Sequence, residues 1–360
     1  MAKLSWIEKL LRTVTIQDEL LRFMLCEFYA TMILALFAHA VVAQETVSRS
    51  MSGFNMAFGS AMGVSLAVFS GFGVSGGHVN LALSVGIAVI GVFPWRRIPF
   101  YFVSQLAGGF VGSALVYLVY KDAFDEFDGG TRQVLGENGT AAIFATFPQP
   151  YLSVTTGFFE QVLNTALLLA AIGGIMDHRN NAPPLAVAPF FFGIIVFTIL
   201  MSYAYNAGAP LNPSLDLSGR LLLTAVGYGP EVWVPNGVHW WWIPIVGPTI
   251  GSALGSWAYF FAITLHHPPL TEEPKDKIQH SEATGENQQN PAGLFALSSQ
   301  MTGEVGNSQA PNSRENSTSM TEFDVNHEKD REDRMSGPLC VDVIYNDQTL
   351  VNETTNDVFL

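Results

Sequence analysis

Six long apolar stretches dominate residues 20–265, and short polar segments separate them. Each stretch holds about 20 mostly apolar residues, the length at which an α-helix crosses the hydrocarbon core of a bilayer. The pattern therefore predicts six transmembrane helices near Leu20–Ala43, Met51–Phe72, Phe100–Tyr120, Gly157–Met176, Pro184–Tyr205 and Trp240–Leu265.

Two further apolar stretches are too short to cross a membrane. Asn80–Phe93 and Asn212–Val226 hold 14 and 15 residues, so as helices they reach only ~21 to 23 Å of a ~30 Å core. The asparagine that opens each stretch follows an intramembrane glutamate, Glu27 or Glu160, by 53 and 52 residues respectively. This internal repeat predicts two half-helices in halves of opposite membrane topology, which is typical of a site at the middle of the bilayer.

The residues that open the half-helices suit a polar pore. Asn80 and Asn212 are predicted N-caps, whose side-chain oxygens accept from backbone N–H groups while the amide NH2 groups point into a lumen. Pro213 suits the first helical position, where its missing donor has no helical partner. Each helix N-terminus carries a partial positive charge. We therefore expect a ring of donors that passes neutral hydrogen-bonding solutes and opposes cations.

Composition and charge agree with a multispanning membrane protein. The chain is 49% hydrophobic and only 13% charged, and 17 of its 31 acidic residues but only 6 of its 17 basic residues follow Pro268. We predict a cytoplasmic segment (1–19), a channel domain (20–267, with repeats at about 20–120 and 157–265) and a disordered acidic tail (268–360). The two cysteines give no disulfide framework.

Lysine and arginine residues predict the orientation. They are most frequent in the N-terminal segment, the connection after the first half-helix, the turn after the fourth span and the tail, which predicts cytoplasmic termini. We predict the plasma membrane as the location. The opposite side receives the loop 121–156, with a glycosylation sequon at Asn138. The apolar end of the tail, Val358–Leu360, is a candidate for capture by a partner that binds a terminal carboxylate.

Other function classes find little support. No nucleophile and base occur in a recognisable local context, so an enzyme is not predicted, and no metal or cofactor is implied. Basic patches for nucleic acid are absent from the sequence. His78 could sense pH or bind a ligand, but a packed, hydrogen-bonded loop histidine is the better interpretation because no second metal-type ligand lies nearby in sequence.

Across residues 20–265 the chain resembles the aquaporin superfamily, and more closely its aquaglyceroporin branch. The resemblance rests on SGGHVNLAL (Ser75–Leu83), NPSLD (Asn212–Asp216), the two span glutamates, AAIFATFP (Ala141–Pro148) and the pair formed by Asp216 and Arg220. It implies an all-α fold of six transmembrane helices plus two half-helices in an inverted repeat. It also implies a passive channel for water and glycerol-like solutes in a lipid bilayer, assembled as a homotetramer.

The resemblance also assigns roles to single residues. The two motif asparagines and their neighbours Leu81, Ala82, Pro213 and Ser214 are implied to line the pore. The span glutamates, Glu27 and Glu160, are implied to brace the loops that carry the half-helices. Leu81 stands where the first motif has Pro, Ser214 where the second has Ala, and Leu215 where the family places the Arg of its outer filter. The other filter positions fall on Ser60, Leu200 and Ala209.

Loss of the filter Arg leaves two outcomes open. A constriction without a cation or an aromatic ring either passes glycerol-sized solutes readily or dewets and closes. A non-conducting adhesion or signalling scaffold of the same fold is therefore the alternative function. A coupled secondary transporter is disfavoured, because apart from Asp216, which Arg220 can pair, neither half-helix offers an acid for a coupling ion.

Overall fold

Eight α-helices occupy residues 19–262 of the chain, and no β-strand occurs in its described part. The structure is a computed structural model that describes Trp6, Leu10 and residues 13–268. The predicted all-α class is therefore confirmed. The helices are α1 (Glu19–Val47), α2 (Gly53–Ser75), α3 (Leu81–Val89), α4 (Ile98–Asp128), α5 (Val154–Met176), α6 (Ala188–Ala207), α7 (Pro213–Ala225) and α8 (Ile243–Ala262).

Two sequence predictions concern residues outside this range. The acidic tail beyond Pro268 and the terminal Val358–Leu360 lie outside the described residues, as does most of 1–12 in the predicted N-terminal segment.

Five of the helical regions are long and apolar enough to cross a membrane: Glu19–Val47, Gly53–Ser75, Trp95–Asp128, Val154–Met176 and Leu185–Ala207. The sixth predicted span corresponds to α8, whose 20 residues reach ~30 Å. Two prolines and three glycines lie among its residues.

The two short helices are half-length, as their sequences predict. Helix α3 has 9 residues and α7 has 13, which corresponds to ~14 and ~20 Å. Helix α3 ends at Val89, several residues before the predicted Phe93. Gly91 follows it with φ 80°, a left-handed conformation that glycine adopts readily and that ends the helix.

Glycines let the long helices of each half approach closely. In the first half, a Cβ added at Gly108 of α4 would overlap the carbonyl of Phe28 on α1. In the second half, a Cβ at Gly251 of α8 would overlap the carbonyl of Val162 on α5. The pair α1 and α4 and the equivalent pair α5 and α8 are thus both packed through a glycine, as expected for an internal repeat.

Each half-helix packs mainly against the last long helix of the opposite half. Helix α3 lies along α8, and α7 lies along α4. Gly86 of α3 faces Ser252 of α8, while Gly109 of α4 faces Ser218 of α7. The two halves therefore interlock, and the N-termini of α3 and α7 meet inside the helical bundle.

Candidate pore site

The asparagines that precede the half-helices are N-caps in the structure. Asn80 has extended backbone, and its Oδ1 accepts from the N–H of Ala82 at 2.8 Å. Asn212 is also extended, and its Oδ1 accepts from the N–H groups of Ser214 at 3.1 Å and Leu215 at 3.3 Å. Both side chains are thereby fixed at the point where the halves meet.

The two asparagine amides also join the halves to each other. Nδ2 of Asn80 donates to the carbonyl of Leu211 at 2.9 Å, and Nδ2 of Asn212 donates to the carbonyl of Val79 at 2.7 Å. Val79 has φ 46°, unusual for a β-branched residue. The prediction that each amide points into a lumen is therefore incomplete, because one of its two N–H groups bonds to the opposite half.

A further polar chain behind this junction was not predicted. The N–H of Leu81 donates to Oγ of Ser214 at 3.2 Å, and that hydroxyl donates to Oε1 of Gln105 at 2.8 Å. Ala82 and Ser214 have no exposed surface, and Pro213 is buried. These three residues are predicted to line the pore, and that role stays a prediction, since the structure shows only that their side chains are buried.

The four predicted filter residues lie in different surroundings. Leu200 and Ala209 belong to one apolar cluster. Leu215 packs beside a second cluster that includes Val79. Ser60, on α2, is partly exposed. None of the four filter residues carries a charge or an aromatic ring, and their joint action as a filter stays a prediction.

Glu27 braces the loop before α3 through both of its carboxylate oxygens. Oε1 accepts from the hydroxyl of Ser75 at 2.6 Å and from the N–H of His78 at 2.9 Å. Oε2 accepts from the N–H of Val79 at 2.8 Å and from Nε2 of Gln105 at 2.8 Å. The carboxylate is fully buried, so these four donors supply what water otherwise would.

Glu160 does not repeat this arrangement, and its bracing role stays a prediction. Within the described residues, neither carboxylate oxygen has a hydrogen-bond partner of acceptable geometry, although the amide of Asn206 lies nearby. Aligning the motif asparagines and the two GSAL segments shows why. The positions that hold three of the four donors in the first half are Ala207, Pro210 and Pro244 in the second. None of these residues offers the corresponding donor.

His78 is a packed loop histidine. Its Nδ1 and Oγ of Ser84 are joined by a hydrogen bond of 2.9 Å, and its ring lies 4.6 Å from that of Phe93 and 4.9 Å from that of Tyr101. In the part of the chain that the structure describes, no group of three His, Cys, Asp or Glu side chains could hold a metal ion.

Asp216 and Arg220 form a fully buried ion pair on α7. Nε of Arg220 lies 2.7 Å from Oδ2 of Asp216. Oδ1 of the same carboxylate accepts from the N–H of Thr146 at 2.8 Å and from its hydroxyl at 2.6 Å. The other guanidinium nitrogens of Arg220 donate to the carbonyls of Thr146 and Val232. This cation therefore fixes the loops that contain Thr146 and Val232, and it does not replace the missing filter arginine, since it has no exposed surface.

The loop that carries the sequon is also tied down. Oδ1 of Asn138 accepts from Nη2 of Arg49 at 3.2 Å. Thr140, the third residue of the sequon, is fully buried, and its hydroxyl lies 2.6 Å from that of Tyr228. Burial raises the pKa of Tyr228 to about 12, despite this hydrogen bond. The loop is thus held near the C-terminal end of α7.

Comparison with known proteins gives consistent results. A family model described as major intrinsic protein matches residues 14–259. Human aquaporin-10 is 37% identical over 265 residues, which cover 73% of this chain and 88% of that protein. Human aquaporin-9 is 38% identical over 276 residues, or 75% of this chain and 93% of that protein. The X-ray structure of the aquaglyceroporin from Plasmodium falciparum matches with a TM-score of 0.60 and 26% identity, covering 68% of this chain and 97% of that one.

Proposed function

Because the chain belongs to the major intrinsic protein family, in its aquaglyceroporin branch, we propose that it is a passive channel for water and small uncharged solutes such as glycerol. The meeting of two asparagine-capped half-helices is the observation that carries this proposal. Interlocked half-helices keep polar backbone inside the protein at membrane depth, where it is tolerated only if it is buried or lines a cavity.

The asparagine pair supplies the donors for a passing solute. Each amide NH2 has two N–H groups, and one of them is committed to the opposite half. The second N–H of Asn80 and of Asn212 is left to donate to the oxygen of water or of a solute hydroxyl. Both helix N-termini add partial positive charge at this point, which opposes cations while neutral solutes pass.

Leu215 broadens the range of solutes that this pore accepts. An arginine here would bring a fixed charge and a rigid fork of donors. Leucine brings neither, and Leu200 and Ala209 add only apolar surface. We expect a filter that favours glycerol-sized solutes with an apolar carbon face over strict selection for water.

Flux through proteoliposomes tests the proposal. Stopped-flow light scattering is recorded in glycerol and sucrose gradients for the native protein and for Leu215→Arg, with empty liposomes as the control. We expect fast glycerol and water flux in the native protein and a lower glycerol-to-water ratio in Leu215→Arg. Native flux no faster than in empty liposomes would refute the channel.

A non-conducting scaffold remains the second candidate, and the apolar side chains of Leu200 and Leu215 are the observation that favours it, since an apolar constriction can dewet. Deletion of residues 269–360 separates the two functions. A channel keeps its flux without the tail, whereas a scaffold that recruits partners through the tail loses them while never conducting.

Family membership and the five apolar helices make this a multi-pass membrane protein. We propose a homotetramer in the plasma membrane, with both termini cytoplasmic and Asn138 glycosylated on the outside. Native mass spectrometry in detergent checks the tetramer. A glycosidase-sensitive mass that is lost in Asn138→Gln checks the modification.

A further inference from the structure

The two half-helices differ at their first helical residue. Leu81 opens α3 with an N–H group, whereas Pro213 opens α7 without one. The first N–H groups of a helix have no intrahelical partner, and leaving one buried and unpaired is costly. The junction therefore needs an acceptor on one side only.

The chain provides a hydroxyl on one side only. Ser214, the second residue of α7, accepts from the N–H of Leu81 at 3.2 Å. The corresponding second residue of α3 is Ala82, which has no polar side-chain atom. The half-helix with the additional donor is thus matched by an additional acceptor on the opposite half, and the one without a donor is matched by none.

The hydroxyl of Ser214 also determines the orientation of an amide that reaches the first half. It donates to Oε1 of Gln105 at 2.8 Å, so Nε2 of the same amide faces Glu27 and donates to it at 2.8 Å. Glu27 in turn accepts from the N–H of Val79. The relay runs from Leu81 through Ser214, Gln105 and Glu27 to Val79. The carbonyl of Val79 accepts from the amide of Asn212, the N-cap of α7.

We propose that Ser214 is a positioning residue for permeation and that it forms a matched pair with Leu81. The hydroxyl accepts from the first N–H of α3 and, through Gln105 and Glu27, holds the loop carbonyl that orients Asn212. Leucine at position 81 requires serine at position 214, whereas proline at position 81 does not. This proposal rests on the channel function for its effect on flux, but not for the pairing itself.

A double-mutant cycle tests the pair in the full-length protein. The variants are Ser214→Ala, Leu81→Pro and the combination of both. Proline is compatible with position 81 because it is the first helical residue and Asn80 before it is extended, with φ −157° and ψ 122°. Ser218→Ala is the matched control, since this buried hydroxyl lies one turn later on α7 and donates only to its own helix, at Leu215 O.

The readouts are the thermal midpoint in detergent and the glycerol-to-water permeability ratio in proteoliposomes. We expect Ser214→Ala to lower the midpoint and shift the ratio several-fold. Adding Leu81→Pro should recover part of the midpoint, because no N–H of α3 is then left unpaired, whereas the ratio should stay shifted, because Oε1 of Gln105 still lacks its donor. Ser218→Ala combined with Leu81→Pro should be additive. Additivity of Ser214→Ala with Leu81→Pro would overturn the pair.

Two further outcomes separate the pairing from its role in permeation. Coupled thermal midpoints with an unchanged permeability ratio in Ser214→Ala would overturn the positioning role. If the native protein conducts nothing, the proposed function fails on that result, while the coupling of thermal midpoints still decides whether residues 81 and 214 are a matched pair.

Discussion

Glu27 and Glu160 occupy matching positions, yet the structure predicts opposite responses to the same substitution. Glutamine keeps the size of the side chain and removes its charge. At position 27 it can still accept from two donors through its oxygen, but its NH2 group would face the two donors that Oε2 now serves. At position 160 there is no set of donors to disturb within the described residues.

The magnitude follows from the number of bonds lost. Two hydrogen bonds to a charged group contribute ~1.5–3 kcal/mol each, so Glu27→Gln should cost about 3–6 kcal/mol. For a domain of this size that corresponds to a thermal midpoint lower by roughly 6–24 °C. At position 160, glutamine removes a buried charge that lacks donors, so the midpoint should stay unchanged or rise.

Thermal unfolding in a mild detergent, followed by intrinsic tryptophan fluorescence, measures both variants against the native protein. Because the two substitutions are chemically identical and both lie in long helices, each is the control for the other. Equal losses in both variants would refute the reasoning, since it would mean that Glu160 has donors equivalent to those of Glu27.

Three further predictions concern other contacts. Gly219→Ala should prevent folding, because its Cβ would overlap a loop carbonyl, whereas Gly73→Ala, with nothing within 4 Å, should be neutral or stabilise by ~0.5–1 kcal/mol; expression and thermal midpoint check both. Arg220→Met should cost ~3–5 kcal/mol by leaving Asp216 charged and buried, and a double variant with Asp216→Asn should cost less than the sum of the two single losses. Burial alone would raise the pKa of Asp177, but the hydrogen bonds that it accepts lower it on balance; its stabilisation is therefore present above about pH 4 and lost as pH falls further. The difference in thermal midpoint between the native protein and Asp177→Asn should shrink accordingly.

Local patterns were enough to predict most of the architecture. The lengths of the apolar stretches separate spanning helices from half-helices, since bilayer thickness sets one length for the former. The capping asparagines could be identified because an N-cap bond involves residues only two or three positions apart. The pair of Asp216 and Arg220 could be expected for the same reason, as both lie on one face of one helix.

Contacts between distant segments could not be predicted in this way. Gln105 looked like one more residue of an apolar span, although it is the amide that connects Ser214 to Glu27. The reciprocal bonds of Asn80 and Asn212 depend on loop carbonyls 131 and 133 residues away. For Glu160 a signal was present, because the donors that serve Glu27 are replaced by alanine and proline in the second half, but it requires aligning the two halves residue by residue.

The two halves therefore hold their half-helices by different means. The loop before α3 is fixed from behind by Glu27, through bonds to Ser75, His78 and Val79. The second half lacks these donors, and α7 is instead fixed by the ion pair of Asp216 and Arg220, which bonds the loop that contains Thr146. An inverted repeat needs both N-termini at the same point, but it does not need the same support for each. Because the two supports use separate groups of side chains, substitutions in one should add to substitutions in the other, whereas substitutions within either group should not.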